Sequence, residues 1–399
     1  MWLNSPTFCP NLIDFLMDLT IFFDPLDEYP FGAMDDPSVW YAMVDMNTEM
    51  MPQWKNAHFA LVGVGESRGS AHNQSCAKAP NEIRKKLYRL KRGSFQYRVA
   101  DLGNLRHGVS LEETQLRLRE VCEVLIRHNV IPIILGGSHD LDYGQYQAYQ
   151  GLEKLVSVLN VDATVDMHVR NPALKSEYHI HQILLHEPNY LFHYSHLAYQ
   201  SYLTSPDALA VLESLQFDTY RIGQIRDSME EVEPIIRYAD MLTFDITAIR
   251  MTDAPGNANA QPFGLTGEEA CQICWYAGVN DKMSSVGFYE YNPDLDVRGQ
   301  TAGVIATMIW YFVEGFYNRR NESDFTDRKY TRYVVSVLDD NSQNLVFYKS
   351  NFTDKWWIEV PYPNAPDKHC IVPCSYQDFQ LANQGELPQR WITTYAKLS

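Results

Sequence analysis

The sequence predicts an α/β protein whose mainly parallel sheet carries helices on both faces. Three observations predict it. Short apolar runs that end in glycines or acids recur between residues 58 and 292. Longer segments with helical spacing separate them, the alternation expected of strand–helix–strand units. At 399 residues, one large domain with embellishments accounts for the chain better than several small ones. Neither an internal repeat nor a low-complexity segment interrupts this pattern.

The elements follow in order. HFALVGVG (58–65) reads as a buried strand. APNEIRKKLYRLKRG (79–93) reads as a helix with Pro80 near its start, where a missing N–H does no harm, and Gly93 beyond its end. LEETQLRLREVCEVLIRH (111–128) repeats apolar residues every three or four positions and is an amphipathic helix. VIPIILGG (130–137), LVSVLNVDA (155–163), MLTFDI (241–246) and VGFYEYN (286–292) are further buried strands. The segment containing Cys271 and Cys274 has helical spacing. A cysteine pair three apart on a helix faces the core, so these read as structural thiols rather than zinc ligands, as does the Cys370/Cys374 pair. Seven cysteines in this length are no disulfide framework. Beyond residue 325, YTRYVVSVL, NLVFYKS and KWWIEVPYP read as strands of a C-terminal extension, followed by a Pro- and Cys-containing tail. The expected organisation is an N-terminal segment (1–56) packed on the main domain, the α/β domain (57–325) and the extension (326–399). The first sixteen residues are poorly patterned and are expected to attach loosely.

Composition excludes some functions. Fifty acidic residues against 33 basic ones give a formal net charge of −17, which repels phosphate backbones, so no nucleic-acid partner is expected. No apolar stretch reaches the ~18 residues that span a bilayer, so no membrane partner is expected. Asp14 and Asp18 break up the apolar run Leu12–Met17, and no Lys or Arg precedes it, unlike a signal peptide. The expected location is the cytoplasm.

Four strand ends carry the chemistry: Gly136-Gly137-Ser138-His139-Asp140, Asp162-Ala163-Thr164-Val165-Asp166, Asp245-Ile246-Thr247 and Glu290-Tyr291-Asn292-Pro293. Singly, each has an ordinary explanation: a histidine in a turn, or an aspartate capping a helix. Together they bring an imidazole and several carboxylates to one edge of a sheet, where the acids repel one another unless a cation compensates. One imidazole with three carboxylates is an oxygen-rich donor set that suits Mn2+ better than structural zinc.

In order and wording these segments resemble the arginase, agmatinase and formimidoylglutamase family. GGSHD is similar to its GGDHS segment, DATVD to DAHxD, TFDIT to SxDxD and EYNP to ExNP. APNEIR resembles its GPxAIR helix start, DLGN (101–104) its DxGD turn, and APGNANAQPFGLTGEEA (254–270) its loop ending in GLTxxE. The resemblance covers roughly residues 58–315 and implies the three-layer α-β-α arginase-like fold. It further implies that His139, Asp162, Asp166 and Asp245 ligate one Mn2+. The second ion of the family would need an imidazole and a carboxylate where this chain has Thr164 and Thr247. Both losses fall on the same ion, so a single-metal site is expected. Glu290 matches the glutamate that grips a cationic substrate group, with Asp166 beside it as a second catalytic carboxylate. His168 and Arg170 occupy positions expected to contact substrate, Arg170 through a substrate carboxylate.

The expected activity is therefore metal-dependent hydrolysis of a C–N bond in a small guanidino or formimino compound. The alternative is a non-catalytic member of the same fold, with a structural metal or none, that acts in binding or assembly. Retained Glu290 favours the first; Thr164 and Thr247 favour the second. The resemblance also implies a homo-oligomer, for which 25 tyrosines and the aromatic segment 18–56 offer contact surface.

Overall fold

The structure is a computed structural model that describes residues 18–27, 36–167, 175–322, 325, 328–337 and 343–398. The loosely attached opening expected from the sequence lies outside these residues. Ten strands form the central sheet: β1 (Phe23–Asp24), β2 (Val44–Met46), β3 (Phe59–Gly63), β4 (Val99–Leu105), β5 (Ile131–Leu135), β6 (Val156–Val161), β7 (Leu191–Tyr199), β8 (Asp218–Arg221), β9 (Met241–Asp245) and β10 (Ser285–Tyr289). Their spatial order is β1-β4-β3-β5-β10-β9-β6-β7-β8, with β2 also on β4. Every pairing is parallel except β1 with β4.

Helices α1 (Ala79–Leu87), α2 (Leu111–Arg127), α3 (Asp142–Gly151), α4 (His179–Leu184), α5 (Pro206–Ser214), α6 (Ile222–Asp227), α7 (Val232–Tyr238), α8 (Gly267–Val279) and α9 (Gln300–Tyr317) connect the strands. Strand side chains alternate between the two faces, and the core divides accordingly. Phe59, Leu61, Ile133, Leu242 and Phe288 pack with α8 and with Ile305, Ile309 and Phe312 of α9. Ala60, Val62 and Ile134 face the opposite way, against Leu118, Val121 and Leu125 of α2. Cys271 and Cys274 are buried on α8.

Two local expectations need correction. The helix expected over 79–93 ends at Leu87. Residues 38–42 compete for the backbone beyond it: Trp40 N–H donates to the Leu90 carbonyl (2.9 Å), Tyr41 N–H to that of Tyr88 (3.1 Å), and Arg92 N–H to that of Ser38 (2.8 Å). DLGN is part of β4 rather than a free turn. Asp101 in it is fully buried and accepts both Arg84 Nε (2.7 Å) and Nη2 (2.8 Å), while Gly103 takes φ +91° where the register slips against β3.

After α9 the chain forms an antiparallel four-stranded sheet, β11 (Tyr330–Val337), β12 (Gln343–Ser350), β13 (Trp356–Tyr362) and β14 (Ala365–Cys374), then α10 (Tyr376–Asn383) and α11 (Gln389–Lys397). The Pro- and Cys-containing tail thus begins as a strand and continues as two helices. This sheet packs on α7, where Arg237 donates to the carbonyls of Trp356 (3.1 Å) and Cys374 (3.3 Å) and lies 4.2 Å from the centre of the Trp357 ring. Among the described residues no helix is long and apolar enough to cross a membrane.

Candidate metal centre

β5, β10, β9 and β6 are consecutive neighbours in the sheet, so the four predicted strand ends open on one crevice at its carboxyl edge. The glycine pair after β5 makes this possible. A Cβ on Gly136 would lie 2.5 Å from the Phe288 carbonyl oxygen, and one on Gly137 only 1.8 Å from that of Glu66. Without side chains the turn tucks between the ends of β3 and β10 and delivers His139 into the crevice.

His139 is fully buried. Its Nε2 lies 2.8 Å from Thr243 Oγ1. With Nε2–H donating to that hydroxyl, Nδ1 presents its lone pair to Asp245 Oδ2 at 3.3 Å and Asp162 Oδ2 at 3.4 Å. A second histidine, His179 at the start of α4, stands beside it with ring centroids 4.1 Å apart. His179 Nδ1 is 2.7 Å from Asp142 Oδ2, and its Nε2 is 3.7 Å from Asp166 Oδ2. One donor atom from each of His139, Asp162, Asp166 and His179 lies within 4.8 Å of the other three. His139 Nδ1, Asp162 Oδ2 and His179 Nε2 are buried and lack a hydrogen-bond partner.

Buried, unpartnered lone pairs converging from three side chains are costly unless a cation or proton sits among them. Donors around a single transition-metal ion stand about 3–4 Å apart, so this set fits one ion after slight contraction. The electrostatics agree. Burial alone would depress His139, yet Asp162 and Asp245 outweigh it and hold the imidazole well above its usual range. Burial likewise opposes His179, but Asp142 dominates among its neighbours and the ring is raised to about 9. Burial and the Asp162 charge push the Asp245 carboxyl up, against the pull of His139. A divalent cation would substitute for the protons this cluster otherwise retains.

The two threonines behave differently. Asp162 Oδ1 accepts Thr247 Oγ1–H (3.0 Å) and Thr164 N–H (3.1 Å). Asp166 Oδ1 accepts Thr164 Oγ1–H at 2.9 Å, and Asp245 Oδ1 accepts Thr247 N–H at 2.7 Å. Oδ1 of each of Asp162, Asp166 and Asp245 is therefore occupied by protein donors, while Asp162 Oδ2 has no hydrogen-bond partner.

A cavity of about 310 Å3 opens over the cluster, lined in part by Ser70, Thr164, Asp166, Asp245, Thr247 and Glu290. Glu290, one of its lining residues, is buried. Its Oε1 accepts the His139 N–H (3.0 Å) and its Oε2 accepts Asn73 Nδ2 (2.8 Å) and Ser70 Oγ (3.3 Å). Asn73 and Asn257 also donate to its carbonyl, at 2.6 Å each, and hold its backbone at φ +64°. A left-handed glutamate costs on the order of 1 kcal/mol and persists only where its surroundings over-determine it. Burial and the nearby Asp245 charge push its carboxyl up to about 8.

A family model for the arginase family matches residues 57–314. The chain belongs to the arginase family. Among its relatives in that family, a formimidoylglutamase from Geobacillus sp. is 27% identical over 288 residues, covering 68% of this chain and 87% of that protein. One from Streptococcus pyogenes is 26% identical over 318 residues, 72% of this chain and 95% of that protein. Two solved structures share the fold at 19% identity. Trypanosoma cruzi formiminoglutamase with Mn2+ has a TM-score of 0.63 over 67% of this chain and 96% of its own. Bacillus subtilis formimidoylglutamase has a TM-score of 0.64 over 73% and 98%.

Within this arginase-family chain, His139, Asp162 and Asp166 gather in one cluster, and Asp245 stands beside His139. Glu290 lines the adjoining cavity. His168 and Arg170 lie outside the described residues. His179 is the residue that sequence reasoning missed. It opens YHIHQIL, an apolar helical run in which nothing distinguishes the buried His179 from the half-buried His181.

Proposed function

We propose that this arginase-family protein is a metal-dependent hydrolase that cleaves a C–N bond of a formimino or guanidino compound, working with one divalent cation. His139, Asp162, Asp166 and Asp245 hold the cation, with Mn2+ as in the Trypanosoma cruzi neighbour. When bound it supplies Lewis-acid polarisation of the trigonal carbon's substituents and makes water a stronger nucleophile near neutral pH. The observation that carries this reading is Glu290. A cationic guest at this buried carboxyl, held by three donors in the lining of a small cavity, would offset the burial and the Asp245 charge that otherwise keep it protonated. An amidinium or guanidinium offers two parallel N–H groups that match a carboxylate's oxygens. Glu290 orients that group over the cluster, and Asp166, at the cavity wall, is placed to take up a proton as the nucleophile attacks. Arg170 pairing with a substrate carboxylate, with His168 beside it, belongs to the same reading, as do a cytoplasmic location and assembly into a homo-oligomer.

The test measures bound metal and product release together. Protein loaded with Mn2+ is assayed with N-formimino-L-glutamate, L-arginine and agmatine. Formamide or urea released from one of them, with kcat/KM about 100-fold lower in Glu290→Gln, supports the reading; that loss corresponds to one charge-assisted contact of about 3 kcal/mol. Metal bound at full occupancy with no turnover of any of the three would instead favour the non-catalytic alternative, to which the saturated Asp162 Oδ1 already lends weight.

A further inference from the structure

We propose that His179 is itself a protein ligand of the cation, so that two imidazoles rather than one face it, with Asp142 as the residue that positions the second. This assignment rests on the single-cation reading above. His179 is fully buried on the first turn of α4, and its two nitrogens have different surroundings. Nδ1 meets the Asp142 carboxylate at 2.7 Å, which fixes the proton there. In the neutral ring Nε2 is then the lone-pair nitrogen, and it is buried with no hydrogen-bond partner. It points toward Asp166 Oδ2 and belongs to the same compact donor group as His139 and Asp162. A carboxylate behind one imidazole nitrogen and an open position before the other is the arrangement that orients metal-bound histidines and strengthens them as donors.

Two other roles fit less well. A histidine present only for packing would have both nitrogens satisfied or one facing solvent, and His179 Nε2 has neither. A histidine that exchanges protons with substrate would border the substrate cavity. The cavity wall is formed by Thr164, Asp166, Thr247 and Glu290 among others, and His179 is not among the described residues that line it. Its ring lies against His139.

The second imidazole changes which ion the site prefers. One histidine with three carboxylates is a hard donor set that accommodates Mn2+. Adding a second nitrogen donor moves preference toward Zn2+, Co2+ or Fe2+. Asp142 also lies 3.9 Å from His139 Nε2, beyond hydrogen-bond reach, so it acts on that ring through its charge alone.

X-ray absorption of the unmodified protein loaded with Zn2+ counts the imidazoles directly: two per ion are expected, and one would overturn the assignment. Affinities for Zn2+ and Mn2+, measured by competition with a chromogenic chelator, add a second readout. His179→Gln is expected to weaken Zn2+ about 100-fold and to narrow the Zn2+/Mn2+ ratio by about tenfold, and Asp142→Asn to weaken Zn2+ about 10- to 100-fold. His179→Gln that keeps its circular dichroism and binds Zn2+ within threefold of wild type overturns the proposal. Should that variant not fold, the imidazole count still decides. Asp162→Ala separates the two levels of inference. If it too retains the ion, the metal centre itself is misplaced; if it alone loses the ion, only the His179 assignment fails.

Discussion

Restoring the two side chains that a second ion would need, in the double variant Thr164→His/Thr247→Asp, tests the proposal that the site holds a single cation. The threonine hydroxyls now donate to Asp162 at 3.0 Å and to Asp166 at 2.9 Å. A hydrogen bond to a charged group contributes about 1.5–3 kcal/mol. Losing both therefore costs the metal-free variant about 3–6 kcal/mol, before any repulsion between the new aspartate and Asp162. Metal reverses the balance. An ion at one hundred times its Kd stabilises the folded state by about 2.7 kcal/mol. Wild type should show one such increment and the variant two, with a lower starting point and a steeper rise with Mn2+. Both threonines line the cavity, so the larger histidine has space to turn toward it. Thermal unfolding across a Mn2+ titration, with metal analysis after gel filtration, reads both quantities. One ion per chain in wild type and two in the variant is the expected result. Two ions in wild type, or a variant whose Tm responds to Mn2+ no more than wild type does, would refute the view that these hydroxyls close the second position.

Two further predictions concern stability away from the cluster. Asp101→Ala strands the fully buried Arg84 and removes the acceptor of the Tyr88 hydroxyl; a loss of about 3–5 kcal/mol in urea unfolding is expected, against less than 1 kcal/mol if the pair is dispensable. Lys397, on α11, donates to His193, and burial depresses its ammonium to about 8 from an ordinary 10.5, only partly offset by Asp218. Between those values the unfolded chain holds the proton that the folded chain has released. The cost of burying the charge is thus fully present below pH 8 and fades as pH rises toward 10.5. Lys397→Met should gain about 1–2 kcal/mol over wild type at pH 7, after allowance for partial exposure, and the difference should vanish near pH 10.5. A difference independent of pH would refute the buried-charge account.

Much of the site was legible because its strands are buried on both faces. β5, β6, β9 and β10 read as continuous apolar runs, and the first polar residue after such a run marks the sheet's carboxyl edge. That these four strands are adjacent is a property of topology, which no local pattern encodes. β7 and β8 escaped notice because LFHYSHLAY carries two histidines and a serine, and DTYR is only partly buried. The overlong first helix shows the limit of propensity: RKKLYRLKR is helical by composition, yet hydrogen bonds from residues 38–42, remote in sequence, claim its second half. His179 was invisible for a related reason. What singles it out is a carboxylate on another helix, Asp142, and contact of that kind leaves no trace in spacing.

The seat of Arg237 against the C-terminal sheet has a consequence for anyone trimming this chain to residues 57–314, the segment that carries the family resemblance. Such a fragment would look complete on an alignment. It would nevertheless expose a guanidinium shaped to cap the carbonyls of Trp356 and Cys374, on the helix that leads directly into β9 and Asp245. The β-sheet added after α9 is in that sense a keystone set from outside: remove it, and the slack appears at the strand that carries Asp245, a proposed ligand of the cation.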